Sequence, residues 1–565
     1  MKKSKENKRI LIANRGEIAD RIAKTVKKMG HTPLFVYAHP DRNLTYIKNT
    51  SEKFLLQGDT VIETYLSKDK IIEAAKYLKA DAVHPGYGFL SEDKVFAQLI
   101  LDNNFIFIGP SPDSMNILGD KINAKKLAEK LNVPTAKWFA KENVTTAELT
   151  NEIKVFAEKN NFPLILKASA GGGGKGMRII NSIEEIAPMV EAATREAGSS
   201  FKDSTTYVET LFDNARHIEI QILSDKHKNI VHLFERDCSL QRNNQKIIEE
   251  APALNLDPKI KESLYAWSIA LAKEANYQGL GTFEYLVKDK SAIFLECNTR
   301  LQVEHTVTEE ITGLDLVQLQ IEVAFDKTLP EILPDKISCL GHAIQVRLCA
   351  EDPALNFSPS VGRIETLLFD TVLFDTVHFN TVKNIRIDTA YKTNDFISPF
   401  YDSLIAKVIV HESSRENCIK NLITYLNNSE IHGIKTNIEL LIKLLKLESF
   451  INISHTTGLL TKDFLTTLLG STINNKPARF PVLNKKNILK NISNALQEIL
   501  SPLPGRISFI NNNKTIKKSD LLFTVDSMKM EHRVTAESNG EIIELKVSLN
   551  DIVQADQIIF ALKIL

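Results

Sequence analysis

The densest chemistry in this sequence sits in two short runs. Gly281-Thr282-Phe283-Glu284-Tyr285 and Phe294-Leu295-Glu296-Cys297-Asn298 read as two strands joined by a polar turn. Glu296 and Asn298 are two apart, so they share one sheet face, and pairing of the strands can bring Glu284 to that face. Two carboxylates and an amide oxygen are hard ligands suited to Mg²⁺ beside a triphosphate. Just downstream, Arg300, Gln302, Glu304 and His305 crowd a cation, an amide and an acid together. That composition suits binding of a small anion and proton transfer on it. The competing reading is a pair of solvated strand carboxylates.

A second run supplies phosphate chemistry. The strand Leu164-Ile165-Leu166-Lys167 leads into Ala168-Ser169-Ala170-Gly171-Gly172-Gly173-Gly174-Lys175-Gly176-Met177. Successive glycines let backbone N–H groups approach phosphate oxygens with no Cβ in the way. The run is not the GxxxxGK[ST] loop. A flexible linker is the bland alternative, but a strand leads in and Met177-Arg178-Ile179-Ile180 leads out. A third candidate is Val525-Asp526-Ser527-Met528-Lys529-Met530-Glu531-His532, a lysine between two methionines. It lies between the β-type runs Pro502–Ile507 and Gly540–Leu545.

These residues need elements to hold them. Ile10–Ala13 is a short apolar run, followed by a turn at Asn14-Arg15-Gly16. A helix comes next, with Ile18, Ile22 and Val26 at spacings of four, and then the strand Pro33–Tyr37. This is the βαβ pattern of a parallel sheet. The turn lacks GxGxxG, so no dinucleotide is implied. The chain is read as α/β and multidomain. A Rossmann-like unit spans 1–120, a strand–helix unit 121–325, a mixed α/β unit 335–445, a partly helical linker 446–501 and a small all-β unit 502–565. Three five-residue copies at 369–382, beginning Phe369-Asp370-Thr371-Val372-Leu373, are too short for a solenoid unit. They are expected to form a surface hairpin or loop.

Composition limits the function classes. The chain has 565 residues, 43% of them hydrophobic, and 70 basic residues balance 70 acidic ones. That balance gives no pull toward nucleic acid or an anionic membrane. No apolar run approaches the roughly 20 residues of a membrane helix. The five cysteines, Cys238, Cys297, Cys339, Cys349 and Cys418, are odd in number and contain no CxxC. They suit a reducing compartment rather than a disulfide framework. No apolar signal core precedes Arg9, so a cytoplasmic location is expected.

Read together, the runs NRGEIA, HPGYGFLSE, LKASAGGGGKGM, RHIEIQIL, ERDCSLQR, GTFEYL, LECNTRLQVEH, YDSLIAK and HGIKTN resemble the ATP-grasp enzymes, and specifically the biotin carboxylases. They follow one another in order from residue 9 to about 440. VDSMKMEH resembles the biotinyl-domain motif, whose central lysine carries biotin.

The resemblance implies a Rossmann-like domain, an ATP-grasp domain, a carboxylase C-terminal domain and a flattened β-sandwich carrying biotin on Lys529. It implies that Lys121, Lys167, Gly173 and Gly174 hold ATP phosphates, with Glu209, Leu211, His217 and Gln241 near the nucleotide. Glu284, Glu296 and Asn298 match the Mg²⁺ or Mn²⁺ ligands. Lys246, Arg300, Gln302 and Val303 match the bicarbonate site, Glu304 the general base, and Arg347 the residue that stabilises the biotin enolate. The implied chemistry activates bicarbonate with ATP as carboxyphosphate and then carboxylates biotin.

Some positions depart from the family pattern. Thr210 and Asn244 stand where many relatives have Lys and His, which suggests weaker ATP affinity. Asn511-Asn512-Asn513 and Asn550-Asp551 stand where glycine turns are usual. Asn tolerates positive φ better than most residues, so the turns can survive. The alternative is that this part of the fold is less stable than in relatives and that Lys529 modification suffers. That alternative expects a gain in thermal midpoint for Asn512→Gly in a 502–565 fragment. The gap between the carboxylase and carrier units is too short for a carboxyltransferase. The acceptor half is therefore expected on a separate β subunit, within a homo-oligomeric arrangement, with a biotin-protein ligase as a further partner. An acyl-CoA (acetyl- or propionyl-CoA) is the first choice of acceptor. The alternatives are a pyruvate-type or methylcrotonyl-type carboxylase, a non-catalytic biotin carrier with a decayed ATP-grasp unit, and an ATP-grasp ligase acting on another acid.

Overall fold

The computed structural model describes residues 7–58, 60–141, 145–168, 177–201, 206–369, 385–470, 496–528, 530–554 and 557–564. Near the N-terminus five strands pair in parallel in the order Lys53–Leu55, Thr32–Tyr37, Arg9–Ile12, Ala82–His84, Ile106–Phe107. The helix Gly16–Lys28 buries Ile18, Ile22 and Val26, the face that the spacing of four predicts. This is the Rossmann-like arrangement.

The next sheet is small and antiparallel, in the order Trp138–Ala140, Thr206–Thr210, Leu164–Ala168, Arg178–Ile180. The helices Thr146–Asn160 and Ile186–Phe201 lie on it, and Leu149, Ile153, Ile186 and Val190 join Leu164, Leu166 and Val208 in one core.

The largest sheet has eight strands: Ser291–Asn298, Gly279–Lys288, Arg216–Ser224, Ile230–Arg242, Gln245–Ala251, His342–Cys349, Leu404–Glu412 and Ile385–Thr389. It runs across the 325–335 boundary, because Gln245–Ala251 pairs with His342–Cys349. The ATP-grasp and C-terminal carboxylase units thus share one sheet.

The stretch 446–501, read as a linker, contributes more than a tether. Helices Glu448–Ile451 and Lys462–Leu469 add Phe450 and Leu465 to the core that contains Val346, Val408, Leu422 and Leu441. The strand Leu496–Leu500 pairs antiparallel with Ile558–Ile564.

The C-terminal unit is a sandwich of two four-stranded antiparallel sheets. Ile507, Phe523, Val525, Ile559, Phe560 and Leu562 fill the space between them. Its hairpin Leu521–Ser527/Met530–Thr535 closes at the Ser527–Met530 pair. The Met528 N–H there donates to the carbonyl of Pro399 at 3.0 Å, and Met528 is buried.

The Asn turns correct one expectation. Asn550 does adopt positive φ (74°), but Asn512 does not. The Asn511 side chain instead accepts from the Asn513 N–H at 3.0 Å and donates to Leu521 O at 2.8 Å. This is an Asx turn that needs no left-handed residue at 512. All five cysteines are free. Among the described residues no helix is long and apolar enough to cross a membrane. The five-residue repeat, apart from Phe369, falls outside the described residues, as do Gly173, Gly174 and Lys529.

Candidate active site

The strand Arg216–Ser224 shows how the site is built. Ile218, Ile220 and Ile222 point into the core that holds Phe283 and Tyr285. His217, Glu219 and Gln221 occupy the alternate positions and face the opposite side, yet they too are buried. A second layer covers this polar face. The strand pairs with Gly279–Lys288, setting Glu219 opposite Glu284, and that strand sets Glu284 opposite Glu296. The carboxylates therefore share a face because the register puts them there.

Lys246 lies at the centre. Its Nζ reaches Glu284 at 2.9 Å and Glu304 at 2.6 Å, and it also bonds Glu219. Burial alone would strip its proton, but the three carboxylates outweigh burial and hold it charged. Glu304 also meets Arg347 Nη2 at 3.0 Å. Burial pushes the Glu304 carboxyl up, but Lys246 and Arg347 bring it below the usual range. Arg347 in turn bonds Glu249. Gln302 donates to Glu284 at 2.8 Å, as does Asn298 at 2.7 Å. Arg300 ties Asn298 Oδ1 (2.9 Å) to Glu92 (2.7 Å). His217 contacts Glu284 at 3.0 Å and receives the Gln241 amide at 3.0 Å.

Lys246, Glu284, Asn298, Arg300, Gln302, Glu304, Arg347, His217 and Gln241 thus form one continuous network. Val303 lies between Gln302 and Glu304 in the chain, and its carbonyl accepts from Lys407, outside that network, at 3.3 Å. Lys121 contacts Glu296 at 3.3 Å. Burial raises the Glu296 carboxyl, but Lys121 together with Lys167 and Lys246 outweighs that and lowers it to about 2. Lys167 and Glu209 pair with each other on the smaller sheet, with Lys125 joining at 2.8 Å. Burial opposes ionisation of Glu209, yet the two lysines hold it at about 2. Leu211 is placed by its N–H, which donates to Pro163 O at 3.1 Å. Asn244 lies exposed at a hairpin tip, where φ is positive at both Asn243 and Asn244. This is the two-residue turn in which Asn is favoured.

The donor set fits a hard dication. Glu296 is held ionised opposite Glu284, and the Asn298 amide oxygen retains a second lone pair beside Arg300.

Sequence reasoning missed four of the charged residues that shape the site: Glu219, Arg236, Glu249 and Lys125. Arg236 is fully buried and binds Glu219 (2.9 Å), Gln221 (2.7 Å), Thr282 (3.1 Å), Gln302 (2.9 Å) and Thr308 (3.1 Å). For Glu219 the available signal was alternation of His, Glu and Gln in an otherwise apolar strand.

Comparison with known proteins agrees with this architecture. Residues 6–115 match the family described as biotin carboxylase, N-terminal domain. Residues 120–332 match carbamoyl-phosphate synthase L chain, ATP binding domain, and 345–462 match biotin carboxylase C-terminal domain. Residues 498–562 match biotin-requiring enzyme. Biotin carboxylase 2 of Bacillus subtilis is 41% identical over 81% of this chain and 98% of its own length. The methylcrotonoyl-CoA carboxylase subunit alpha of Dictyostelium discoideum is 40% identical, but this chain spans only 61% of it. For pyruvate carboxylase 1 of Caenorhabditis elegans, 41% identical, the share is 38%. The Campylobacter jejuni biotin carboxylase–β,γ-ATP complex superposes with a TM-score of 0.73 at 37% identity, over 80% of this chain and 98% of that one. The biotin carboxylase domain of Hydrogenobacter thermophilus 2-oxoglutarate carboxylase, solved with MgADP and bicarbonate, gives 0.74 at 38% identity, over 80% and 96%.

Proposed function

The chain belongs to the biotin carboxylases, fused here to a biotinyl carrier unit, and from that premise we propose the role of each site residue and the acceptor served. The reaction is the ATP-dependent carboxylation of biotin, with Mg²⁺ as metal and biotin held covalently. The observation that carries the assignment is the Lys246–Glu304–Arg347 chain lying against Glu284.

Mg²⁺ on Glu284, Glu296 and Asn298 would offset charge on the ATP phosphates, and the ureido nitrogen of biotin on Lys529 would receive the carboxyl group. Lys121, Lys167, Gly173 and Gly174 hold the phosphates. Glu209, Leu211, His217 and Gln241 line the nucleotide. Arg300, Lys246, Gln302 and Val303 hold bicarbonate. Glu304, kept ionised by its two cationic neighbours, takes the bicarbonate proton. Arg347 keeps its charge at every working pH and stabilises negative charge as it develops on the acceptor.

The test is ADP release by the purified chain with MgATP and free biotin, with and without bicarbonate. The rate depends on bicarbonate and biotin, and Glu304→Ala or Arg347→Ala lowers it by about 10²–10⁴-fold. A wild-type rate indifferent to bicarbonate overturns the assignment.

Residues 470–495, between the last carboxylase helix and the first carrier strand, are too few for an acyl-CoA-binding catalytic unit. On this reading the carboxyltransferase sits on another chain, a biotin-protein ligase loads Lys529, and the acceptor is acetyl- or propionyl-CoA. Incorporation of labelled bicarbonate into these acyl-CoAs by the reconstituted complex tests it. Label in pyruvate or methylcrotonyl-CoA instead overturns the choice of acceptor.

A further inference from the structure

Lys407 is fully buried on the strand Leu404–Glu412, directly opposite Arg347 on the neighbouring strand. Opposed residues of an antiparallel pair share a face, so Lys407 enters the same layer as the arginine from the next strand over. Its Nζ donates to the Val303 carbonyl at 3.3 Å. The same nitrogen lies 3.1 Å from Glu17 Oε2 and 3.7 Å from Asp388 Oδ2. Glu17 comes from the first turn of the N-terminal helix Gly16–Lys28. Asp388 is the cross-strand neighbour on Ile385–Thr389 and is separately gripped by Arg386 at 2.8 Å. Lys407 therefore joins three parts of the molecule at one backbone carbonyl.

That carbonyl is in a sensitive place. Val303 stands between Gln302, which donates to Glu284, and Glu304, which lies between Lys246 and Arg347. Rotation of the peptide that follows Val303 would swing Glu304 away from both cations. A buried ammonium costs several kcal/mol unless it is paired. A structural role alone would be met by the two carboxylates. The third contact, a charge-assisted bond to Val303 O, is what fixes the loop.

We propose that Lys407 is a positioning residue for the bicarbonate half-site: it holds the 302–304 segment in register with Lys246 and Arg347 without touching the reactants. This rests on the assignment of bicarbonate to Gln302, Val303 and Glu304 given above.

The experiment compares wild type, Lys407→Met and the charge-balanced double variant Glu17→Gln/Lys407→Met in full-length protein. Bicarbonate- and MgATP-dependent ADP release is measured with free biotin, alongside thermal midpoints. Misplacement of a reacting group by about 1 Å can cost on the order of 100-fold. Lys407→Met is therefore expected to lower kcat/KM for bicarbonate by about 10- to 100-fold and to leave KM for MgATP within about twofold. The double variant recovers the thermal midpoint, since Asp388 keeps Arg386, but does not recover the bicarbonate term.

Recovery of both together would show that Lys407 is only a counter-ion and overturn the proposal. Parallel losses for ATP and bicarbonate, or no loss at all, would also overturn it. If the methionine variants fail to fold, Lys407→Gln, which keeps a donor without the charge, carries the same comparison. A wild-type chain with no bicarbonate dependence would sink the parent assignment and this one with it. Bicarbonate dependence in wild type with an unaffected Lys407→Met sinks this one alone.

Discussion

Around Lys246 the chain buries Glu219, Glu249, Glu284 and Glu304 together with Arg236 and His217, with Arg347 half-buried beside them. At the carrier hairpin, by contrast, the contact with the carboxylase among the described residues is a backbone hydrogen bond from Met528 to Pro399 O and a buried thioether side chain. The reaction centre must hold charges ready before substrate arrives, so Glu219, Glu284 and Glu304 are each held by two or more cationic side chains, Glu249 is held by Arg347, and little reorganisation is left for the chemical step. The carrier must dock and leave. An apolar anchor with one neutral hydrogen bond holds it without the desolvation cost of breaking and remaking buried ion pairs.

The sharpest way to break the contrast is to remove one charge from the locked region. Arg236→Met leaves Glu219 buried without its guanidinium partner and removes the donor to the Gln302 amide oxygen. Loss of one member of a buried pair costs about 3–5 kcal/mol. The carboxylase transition in a denaturant titration is expected to shift by that amount, and the carrier transition to stay put. An unchanged carboxylase transition would mean that the network around Glu219 relaxes freely and is not locked.

Next in size is the carrier anchor. Met528→Ala removes most of a buried side chain, worth about 1.5–3 kcal/mol. Carboxylation of the chain's own biotin is expected to fall by about tenfold or more, with the rate on free biotin unchanged. Avidin capture verifies that both proteins carry the same amount of biotin. Equal losses on both acceptors would show that Met528 acts on the reaction centre rather than on docking.

Acid separates the regions further. Burial depresses His532 of the carrier from its usual value to about 4. A base with a lowered folded pKa favours the unfolded state as it protonates. The stability it contributes is present above about pH 6.5 and is lost as pH falls toward 4. Glu209 behaves with the same sign but in a lower window. Its folded value near 2 keeps its contribution intact until pH drops below about 4.3, the unfolded value. The carrier transition is thus expected to weaken between pH 6.5 and 4 while the Lys125–Glu209–Lys167 cluster still holds. His532→Asn should flatten that slope; a slope unchanged in the variant would assign it to other groups.

What the sequence revealed follows the same division. Glu284, Glu296 and Asn298 were legible because strand alternation and local spacing set their face, and the strand pairing confirms it. Ile18, Ile22 and Val26 were legible for the same reason in a helix. Glu219 was not. On an antiparallel strand a polar alternate face reads as solvent-facing, and only the covering layer makes it internal. Arg236 has no spacing signal, since its partners come from Arg216–Ser224, Gly279–Lys288, the 299–304 loop and the helix His305–Thr312. Arg347 came only from family resemblance. The pairing that carries the sheet past residue 335 joins strands some ninety positions apart, beyond the reach of any local pattern. The helical pieces after 446 were visible as Leu- and Ile-rich runs, but not the core they enter.

The smallest expected effects test the carrier turns. The Asx turn at Asn511 removes the reason to place glycine at 512. Glycine there adds only unfolded-state entropy, a loss of about 0.5–1 kcal/mol. Asn550 is the residue at φ 74°, so Asn550→Gly relieves a left-handed side chain and gains up to about 1 kcal/mol. Part of that gain is offset by its 3.5 Å contact with Arg506. A fragment beginning at 502 would lack the strand Leu496–Leu500 that edges one sheet, so the comparison belongs in the full chain. Thermal midpoints of the carrier transition should rank Asn550→Gly at or above wild type and Asn512→Gly below it. The reverse ranking would place the strained turn at 512 and would return the side-chain bonds of Asn511 to a minor role.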